Sequence, residues 1–299
     1  MTRADASPRL PRGWQAYSEV HGADHKVVGN VCVWPTLEAP ASLGAREIVV
    51  YLPPSYEAGA ASSRRYPVLY FHDGQNVFDE RTSYVGKWAA DETFEALARE
   101  GIEAIAVAVP NKGAARMDEY NPWRERSRFT RGRLSGGKGD AYIDWLAGAV
   151  KPLIDRSFPT LTERDATGLA GSSMGGLISL YGLVAQPDVF GMALAMSPSI
   201  LWHDYGILKM IDEGRMPRSR IHIDMGGREW RGGLADGRRL RDTLVEAGWS
   251  EGRDLNYVEE RFAPHNESAW ARRLPDALRF LLRPFRVEPV LLKPILLKP

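Results

Sequence analysis

The sequence has little cysteine and no long apolar run. Cys32 is the one cysteine among 299 residues, so no disulfide can form within the chain. No apolar stretch reaches the roughly 20 residues that a bilayer-spanning helix needs. The first residues also lack the apolar core of a signal peptide. We therefore expect a cytoplasmic protein that has no membrane as a partner.

An excess of one charge is also missing. The chain has 39 Lys and Arg against 38 Asp and Glu, which gives a formal net charge of +1. A general nucleic-acid binder usually carries a strongly basic surface, so nucleic acid is not an expected partner. The histidines are scattered, and neither metal-ligand spacings nor the glycine patterns of nucleotide-binding loops occur. No metal or cofactor is expected.

Apolar residues are plentiful, at 44% of the chain, and they fall into alternating strand and helix patterns. An antiparallel pair of strands is predicted at 26–34 and 46–52. Further strands are predicted at 66–71, 102–109, 166–170, 192–196, 221–225 and 256–262, with helices at 91–100, 140–154, 177–184, 236–247 and 267–282, the last interrupted at Pro275. This alternation predicts an α/β fold whose mostly parallel central sheet carries helices on both faces.

The predicted domain spans residues 26–286. It follows an irregular segment at 1–25 and precedes an extended tail at 287–299, in which Leu-Leu-Lys-Pro occurs twice. Residues 111–139 break the alternation and are expected to form a long loop resembling a lid. Its arginines are Arg116, Arg124, Arg126, Arg128, Arg131 and Arg133.

These arginines have two interpretations. They can recognise an anionic group of a ligand near the active site. Alternatively, they form ion pairs with Asp118, Glu119 and Glu125 on a solvated loop, and Arg116 with Glu119 is one such pair.

The chemistry is predicted at residues 171–176, which read Gly-Ser-Ser-Met-Gly-Gly between a predicted strand and a predicted helix. This is the setting in which G-x-S-x-G forms a nucleophile elbow, with Ser173 exposed at the tip of a tight turn. Ser172 fits worse, because Ala170 and Met174 would then occupy the glycine positions. The amide of Met174, at the start of the helix, would point at a developing oxyanion. A second amide is expected from Gln75, in the polar loop after the strand at 66–71.

A serine nucleophile needs a histidine base and an acid that holds the base. His265 follows the last predicted strand, where an α/β-hydrolase places its base, whereas His222 lies within a strand and His203 precedes the acid-bearing strand. Glu229 lies just beyond the glycine turn after the strand at 221–225 and is the preferred acid. The alternatives are Asp224, within that strand, and then Asp236, which is also a candidate helix cap.

With these residues assembled, the chain resembles the esterase D-like putative esterase family of α/β-hydrolases. That family includes siderophore, feruloyl and acetyl-xylan esterases and mycolyltransferases. The resemblance covers roughly residues 40–285 and rests on 50–56 (VYLPPSY), 69–79 (LYFHDGQNVFD), 171–176 (GSSMGG), 197–199 (SPS) and 265–270 (HNESAW). It implies an α/β-hydrolase fold and hydrolysis of carboxylic esters through an acyl-enzyme on Ser173, with His265 as base. It also implies an acidic residue after Gly226-Gly227, where Glu229 stands.

The substrate is expected to be a small-molecule ester, such as an acylated sugar, an aromatic ester or a siderophore-like ester. Arg116, Trp88 and Trp202 are the predicted substrate contacts. Trp123 and Trp230 also fall near strand ends or in loops, although tryptophans are more often core residues. Two other functions remain open: acyl transfer with the same triad, and ligand binding by a catalytically silent domain of the same fold.

Overall fold

The computed structural model describes residues 10–56, 63–126 and 130–287. Arg128 and the repeat-containing segment 288–299 lie outside these residues. In the described part of the chain, one sheet of nine strands has the order β1-β2-β3-β5-β4-β8-β9-β10-β11. Its strands are β1 (Gln15–Ala16), β2 (Asn30–Leu37), β3 (Arg46–Leu52), β4 (Val68–Phe71), β5 (Ile105–Ala108), β8 (Thr167–Ser172), β9 (Met192–Met196), β10 (Arg220–Gly226) and β11 (Leu255–Glu260).

The sheet divides into an antiparallel and a parallel part. From β1 through β2 and β3 to β5, adjacent strands pair antiparallel. From β5 through β4 and onward to β11, adjacent strands pair parallel. Parallel strands direct their carboxyl ends to one edge, which is where the polar loops of the sequence follow them. The predicted α/β fold with a mostly parallel sheet and an antiparallel N-terminal pair is confirmed.

Helices cover both faces of the sheet. They are α1 (Tyr17–His21), α2 (Ala90–Ala98), α3 (Arg116–Glu119), α4 (Gly139–Trp145), α5 (Lys151–Ser157), α6 (Met174–Ala185), α7 (Gly206–Asp212), α8 (Gly233–Glu246) and α9 (Glu267–Leu282), and five π-helical residues (Leu146–Val150) join α4 to α5. Side chains alternate between two cores: Val50 of β3 packs with the helices on one face, and Tyr51 packs with α2 and α9 on the other. No helix in the described ranges is both long and apolar enough to cross a bilayer.

Two predictions about regular structure were wrong. The described part of the segment before residue 26, residues 10–25, is not irregular throughout, because β1 pairs with Cys32 and Val33 of β2 and leads directly into α1. A two-residue strand is too short to leave a periodic pattern. Helix α9 is not interrupted at Pro275 but continues through it. The buried Leu274 and Leu278 hold both halves of the helix against the core, which offsets the hydrogen bond that proline cannot donate.

The stretch 111–139 is more ordered than a plain loop. It contains α3 and a small antiparallel hairpin formed by β6 (Glu125–Arg126) and β7 (Leu134–Ser135). Arg116 does not pair with Glu119. The Glu119 carboxylate is fully buried and pairs with Arg46 at 2.8 Å, whereas Arg116 turns toward the carboxyl edge of the sheet.

Candidate active site

Ser173 stands at the tip of a strained turn between β8 and α6. Its backbone has φ 57° and ψ −119°, a conformation that a non-glycine residue adopts only when its surroundings enforce it. A Cβ on Gly171 would lie 2.7 Å from the backbone of Gly175, so only glycine allows strand and helix to approach this closely. The Ser173 hydroxyl lies 3.1 Å from the hydroxyl of Ser199, in the loop after β9.

Glu229 and His265 meet at the neighbouring strand ends. Oε2 of Glu229 lies 3.0 Å from Nδ1 of His265, and the Glu229 side chain is fully buried while that of His265 is 28% exposed. The other carboxylate oxygen accepts hydrogen bonds from the Gly226 N–H at 2.7 Å and from the Ser197 hydroxyl. The imidazole is enclosed edge-on by Trp230 and Trp270, with ring centroids 5.3 and 4.9 Å away.

A buried network on the far side of Glu229 begins at Ser197. Its hydroxyl accepts hydrogen bonds from Trp270 Nε1 at 2.9 Å and from the Arg273 guanidinium at 3.2 Å. The same Arg273 nitrogen donates to Asp224 at 2.9 Å and lies 3.8 Å from Glu229. Arg273 therefore lies between two buried carboxylates. Asp224, the alternative acid, is fully buried and contacts this arginine rather than His265.

The loop after β4 faces the serine from the other side. Gln75 lies in a 3₁₀ turn (Gly74–Asn76) whose first residue donates its N–H to Val109 O at 2.9 Å. The Gln75 side-chain oxygen accepts the Asn111 N–H at 3.1 Å. Met174 is the first residue of α6, so its N–H has no acceptor within the helix.

Asp73 precedes this turn in a left-handed conformation, with φ 55°. Arg116 holds its carboxylate with two hydrogen bonds of 2.6 and 2.7 Å, and Asn111 adds a third at 2.6 Å. Burial raises the pKa of the Asp73 carboxyl, but the charge and hydrogen bonds of Arg116 outweigh it and hold that pKa below its usual range. The neighbouring His72 lies within hydrogen-bond distance of the Tyr142 hydroxyl, and burial lowers its pKa to about 3.

One cavity of about 850 Å³ joins these groups. Ser173, His265, Gln75, Arg116, Glu267 and Trp270 all contribute to its wall. The volume suits a small organic molecule. Three side chains that the sequence placed in different loops, Ser173, Gln75 and His265, thus share one space.

Of the three predicted substrate contacts, one lies on the cavity wall and two lie in the core. Arg116 lines the cavity, but Trp88 and Trp202 are 4% and 3% exposed and belong to the core. Trp88 packs against Phe71 and behind Trp270. This corrects the prediction for both tryptophans, whose position near strand ends reflects packing. His203, an alternative base, is half exposed and stacks on Trp123 away from the cavity.

The local sequence patterns did not identify Glu267 and Trp270 as wall residues, nor Ser197 and Arg273 as partners of the candidate acid Glu229. A signal for a shared face of α9 was present, because Glu267, Trp270 and Arg273 recur at helical spacing just after His265, but this spacing does not identify their partners. Among the described residues, no group of three or more His, Cys, Asp or Glu side chains is placed to hold a metal ion.

The chain is similar to a family of esterases and to individual proteins of bacteria and fungi. The model of the family described as "Putative esterase" matches residues 42–281. The uncharacterized protein YbbA of Bacillus subtilis is 26% identical over 245 residues, which cover 80% of this chain and 93% of that protein. The siderophore triacetylfusarinine C esterase of Aspergillus fumigatus is 31% identical over 147 residues, 48% of this chain and 47% of that protein.

Solved structures share the fold. An IroE-like serine hydrolase from Shewanella oneidensis superposes with a TM-score of 0.66 at 20% identity, over 85% of this chain and 80% of that one. The BES protein from Bacillus cereus superposes with a TM-score of 0.68 at 19% identity, over 87% of this chain and 98% of that one.

Proposed function

We propose that this chain, which belongs to the Putative esterase family, hydrolyses carboxylic esters through an acyl-enzyme on Ser173. The observation that carries the proposal is the 3.0 Å contact between Glu229 and His265 beside the strained Ser173, with the histidine and the serine on one cavity wall. A carboxylate on Nδ1 leaves Nε2 of the imidazole as the acceptor for a serine proton.

In the first half of the reaction, the Ser173 hydroxyl leaves Ser199 and turns toward His265. Its oxygen attacks the ester carbonyl carbon while Nε2 of His265 takes the proton. The N–H groups of Met174 and Gln75 hold the negative charge that develops on the carbonyl oxygen. Glu229 stabilises the imidazolium, which then gives its proton to the departing alcohol.

In the second half, Nε2 of His265 takes a proton from water while the water oxygen attacks the carbonyl carbon of the acyl-enzyme. The bond between that carbon and the Ser173 oxygen then breaks, the imidazolium returns the proton to Ser173, and the acid is released. In this route, every proton passes between Ser173, His265, the substrate and water. The substrate is proposed to be a small-molecule ester. Siderophore-like esters belong in the test panel because similar proteins are named siderophore esterases.

The test combines kinetics with covalent labelling. Wild type and Ser173→Ala are mixed with p-nitrophenyl acetate and butyrate, and p-nitrophenol release is followed from the first turnover. Both proteins are also treated with an organophosphonate probe and examined by mass spectrometry. The expected result is a burst and a single adduct on Ser173 in wild type, and neither in the variant.

The absence of both a burst and an adduct in folded wild type would contradict the proposal and favour a silent binding domain. Product analysis with added alcohols separates hydrolysis from acyl transfer.

A further inference from the structure

Of the two carboxylates that the described residues contribute to the cavity wall, one has a cationic partner among those residues and the other does not. Asp73, Arg116 and Glu267 are the wall residues of the described chain that belong to the strongly acidic or basic types. Arg116 forms an ion pair with Asp73, to which it donates hydrogen bonds through both Nε and Nη2. Its guanidinium also lies 5.1 Å from the centre of the Tyr120 ring. The positive charge on this wall is therefore neutralised before any ligand arrives.

Glu267 has no such counterion. It lies in the first turn of α9, is 7% exposed, and accepts a hydrogen bond of 3.3 Å from the side-chain amide of Asn76. No Lys, Arg or His nitrogen of the described residues lies within 4.0 Å of its carboxylate. Burial is the largest cause that raises the pKa of Glu267, and the charge of Asp73 adds to it. The Glu267 N–H and the charges of His265 and Arg116 act in the opposite direction without reversing the shift.

A second carboxylate reinforces this field. Glu229 is fully buried directly behind His265, so the side of the cavity that carries the imidazole presents negative potential from two glutamates. Arg273 lies 3.8 Å from Glu229, but it also contacts Asp224 at 2.9 Å and Glu260 at 3.1 Å. A second cation, Arg272, contacts Glu260 at 2.9 Å. The network behind the wall therefore holds three carboxylates for two guanidinium groups, and its formal charge stays negative.

The mouth of the cavity adds an aromatic group. Tyr84 and Val85 lie at its edge and are 88% and 64% exposed. The Tyr84 N–H donates to Asn76 Oδ1 at 3.1 Å, and the Asn76 amide nitrogen in turn contacts Glu267, so one asparagine links the mouth to the carboxylate. An aromatic face attracts a cation and offers nothing to a carboxylate.

We propose that the cavity selects neutral and cationic esters over anionic ones, and that Glu267 is the residue that determines this specificity. The inference rests on the proposed esterase activity and adds the charge class of its substrate. An acidic residue in a first helical turn also favours its helix. That role, however, is met by an exposed side chain and does not require a buried one on a cavity wall.

The expected discrimination follows from Coulomb's law. Two unit charges about 6 Å apart, in surroundings with an effective dielectric constant of roughly 20 to 40, interact strongly enough to change an affinity about tenfold to a hundredfold. A negative ester should therefore bind at least about tenfold less tightly than its neutral isostere.

The test uses two pairs of esters of matched size. Mono-p-nitrophenyl glutarate and p-nitrophenyl valerate differ by a negative charge on the acyl side. Acetylcholine and 3,3-dimethylbutyl acetate differ by a positive charge on the alcohol side. Wild type, Glu267→Gln and the control Glu246→Gln, at an exposed position of α8, are compared by kcat/KM for each ester. We expect wild type and the control to prefer the neutral ester over the anionic one by about tenfold or more, and Glu267→Gln to lose most of that preference through KM.

A second measurement needs no variant. Choline and 3,3-dimethylbutanol are compared as competitive inhibitors of wild type at low and high salt. We expect choline to bind more tightly at low salt, with an advantage that shrinks as salt is added.

Two results would overturn the inference while leaving the esterase proposal intact: equal neutral-to-anionic ratios in wild type and Glu267→Gln, or tighter binding of the neutral alcohol than of choline. If folded wild type hydrolysed none of the four esters and formed no organophosphonate adduct on Ser173, the esterase proposal itself would be overturned.

Discussion

Glu229 contacts His265 through one carboxylate oxygen, at 3.0 Å, while the N–H of Gly226 holds the other oxygen at 2.7 Å. The backbone at the end of β10 therefore fixes the rotation of the carboxylate as well as its position. A carboxylate held on Nδ1 selects the imidazole tautomer whose free nitrogen is Nε2. The geometry thus separates Glu229, which can orient a base, from Asp224, which lies on Arg273.

Exchange of the two carboxylates for amides should have different consequences. Glu229→Gln should lower kcat by about 10²- to 10⁴-fold, because an amide no longer favours the tautomer or the imidazolium. Asp224→Asn should act mainly on folding, since it leaves the buried Arg273 with one partner fewer, and loss of a partner from a buried ion pair costs about 3 kcal/mol or more. Steady-state kinetics and urea unfolding of both variants make the comparison. A larger loss of kcat in Asp224→Asn than in Glu229→Gln would identify Asp224 as the acid.

Ser173→Ala should keep the fold and lose about 10⁴-fold or more in kcat, because it removes the proposed nucleophile and leaves only the groups proposed to bind the substrate and the oxyanion. Ser172→Ala is the matched control, since Ser172 is the adjacent serine and also lines the cavity. We expect that control to stay within about tenfold of wild type. Equal inactivation of both variants, with unchanged melting temperatures, would leave the assignment of the nucleophile without support.

Arg116→Gln should lower kcat by about tenfold to a hundredfold and change KM for neutral esters little. Arg116 binds the carboxylate of Asp73, which adopts a left-handed conformation directly before the turn that carries Gln75. A small displacement of Gln75, the proposed oxyanion donor, would be costly. Arg124→Gln is the control, because Arg124 is exposed in the same stretch and is not a cavity residue. An increase in KM alone would mean that Arg116 binds substrate directly.

Stability should decline as the pH falls below about 6.5. Burial lowers the pKa of His72 to about 3, whereas an unfolded histidine titrates near 6.5. Between these values the unfolded chain binds a proton that the folded chain does not, so the free energy of unfolding decreases with falling pH throughout that window. Urea unfolding of wild type and His72→Asn from pH 7 to pH 4 measures the effect.

The His72→Asn variant should show a smaller slope of stability against pH than wild type. His203→Asn, at a half-exposed side chain, controls for loss of an imidazole as such. The same slope in wild type and His72→Asn would exclude His72 as the source.

The local patterns of the sequence predicted the fold and the candidate triad because each depends on short-range signals. Ser173 is flanked by glycines between a strand and a helix, and His265 follows the last parallel strand, so topology alone brings them to one edge of the sheet. Glu229 was predicted as the acid in the same way, from its position just beyond the end of a parallel strand. The error with Trp88 and Trp202 arose because a position near a strand end does not say whether a ring faces the cavity or the core.

The hydrogen-bond network around Glu229 could not be predicted from the sequence, for a different reason. Ser197 contacts Trp270, 73 residues further along the chain, and Arg273, 76 residues further. No local propensity encodes a pairing over such distances, and a tryptophan or an arginine in an amphipathic helix gives no sign of its partner. The same holds for Glu267 and Asn76, which are 191 residues apart.

Helix α9 imposes an order on how the site comes into being during synthesis of the chain. The turn of Ser173, the loop of Gln75 and the strand of Asp224 are all made before it, whereas Glu267, Trp270 and Arg273 leave the ribosome after them. Until this helix docks, Glu229 and Asp224 have neither their shared cation nor the indole that encloses His265. A nascent chain that has already folded its central strands would therefore hold an unfinished site, and the cavity wall would be completed by the docking of the helix rather than by formation of the sheet.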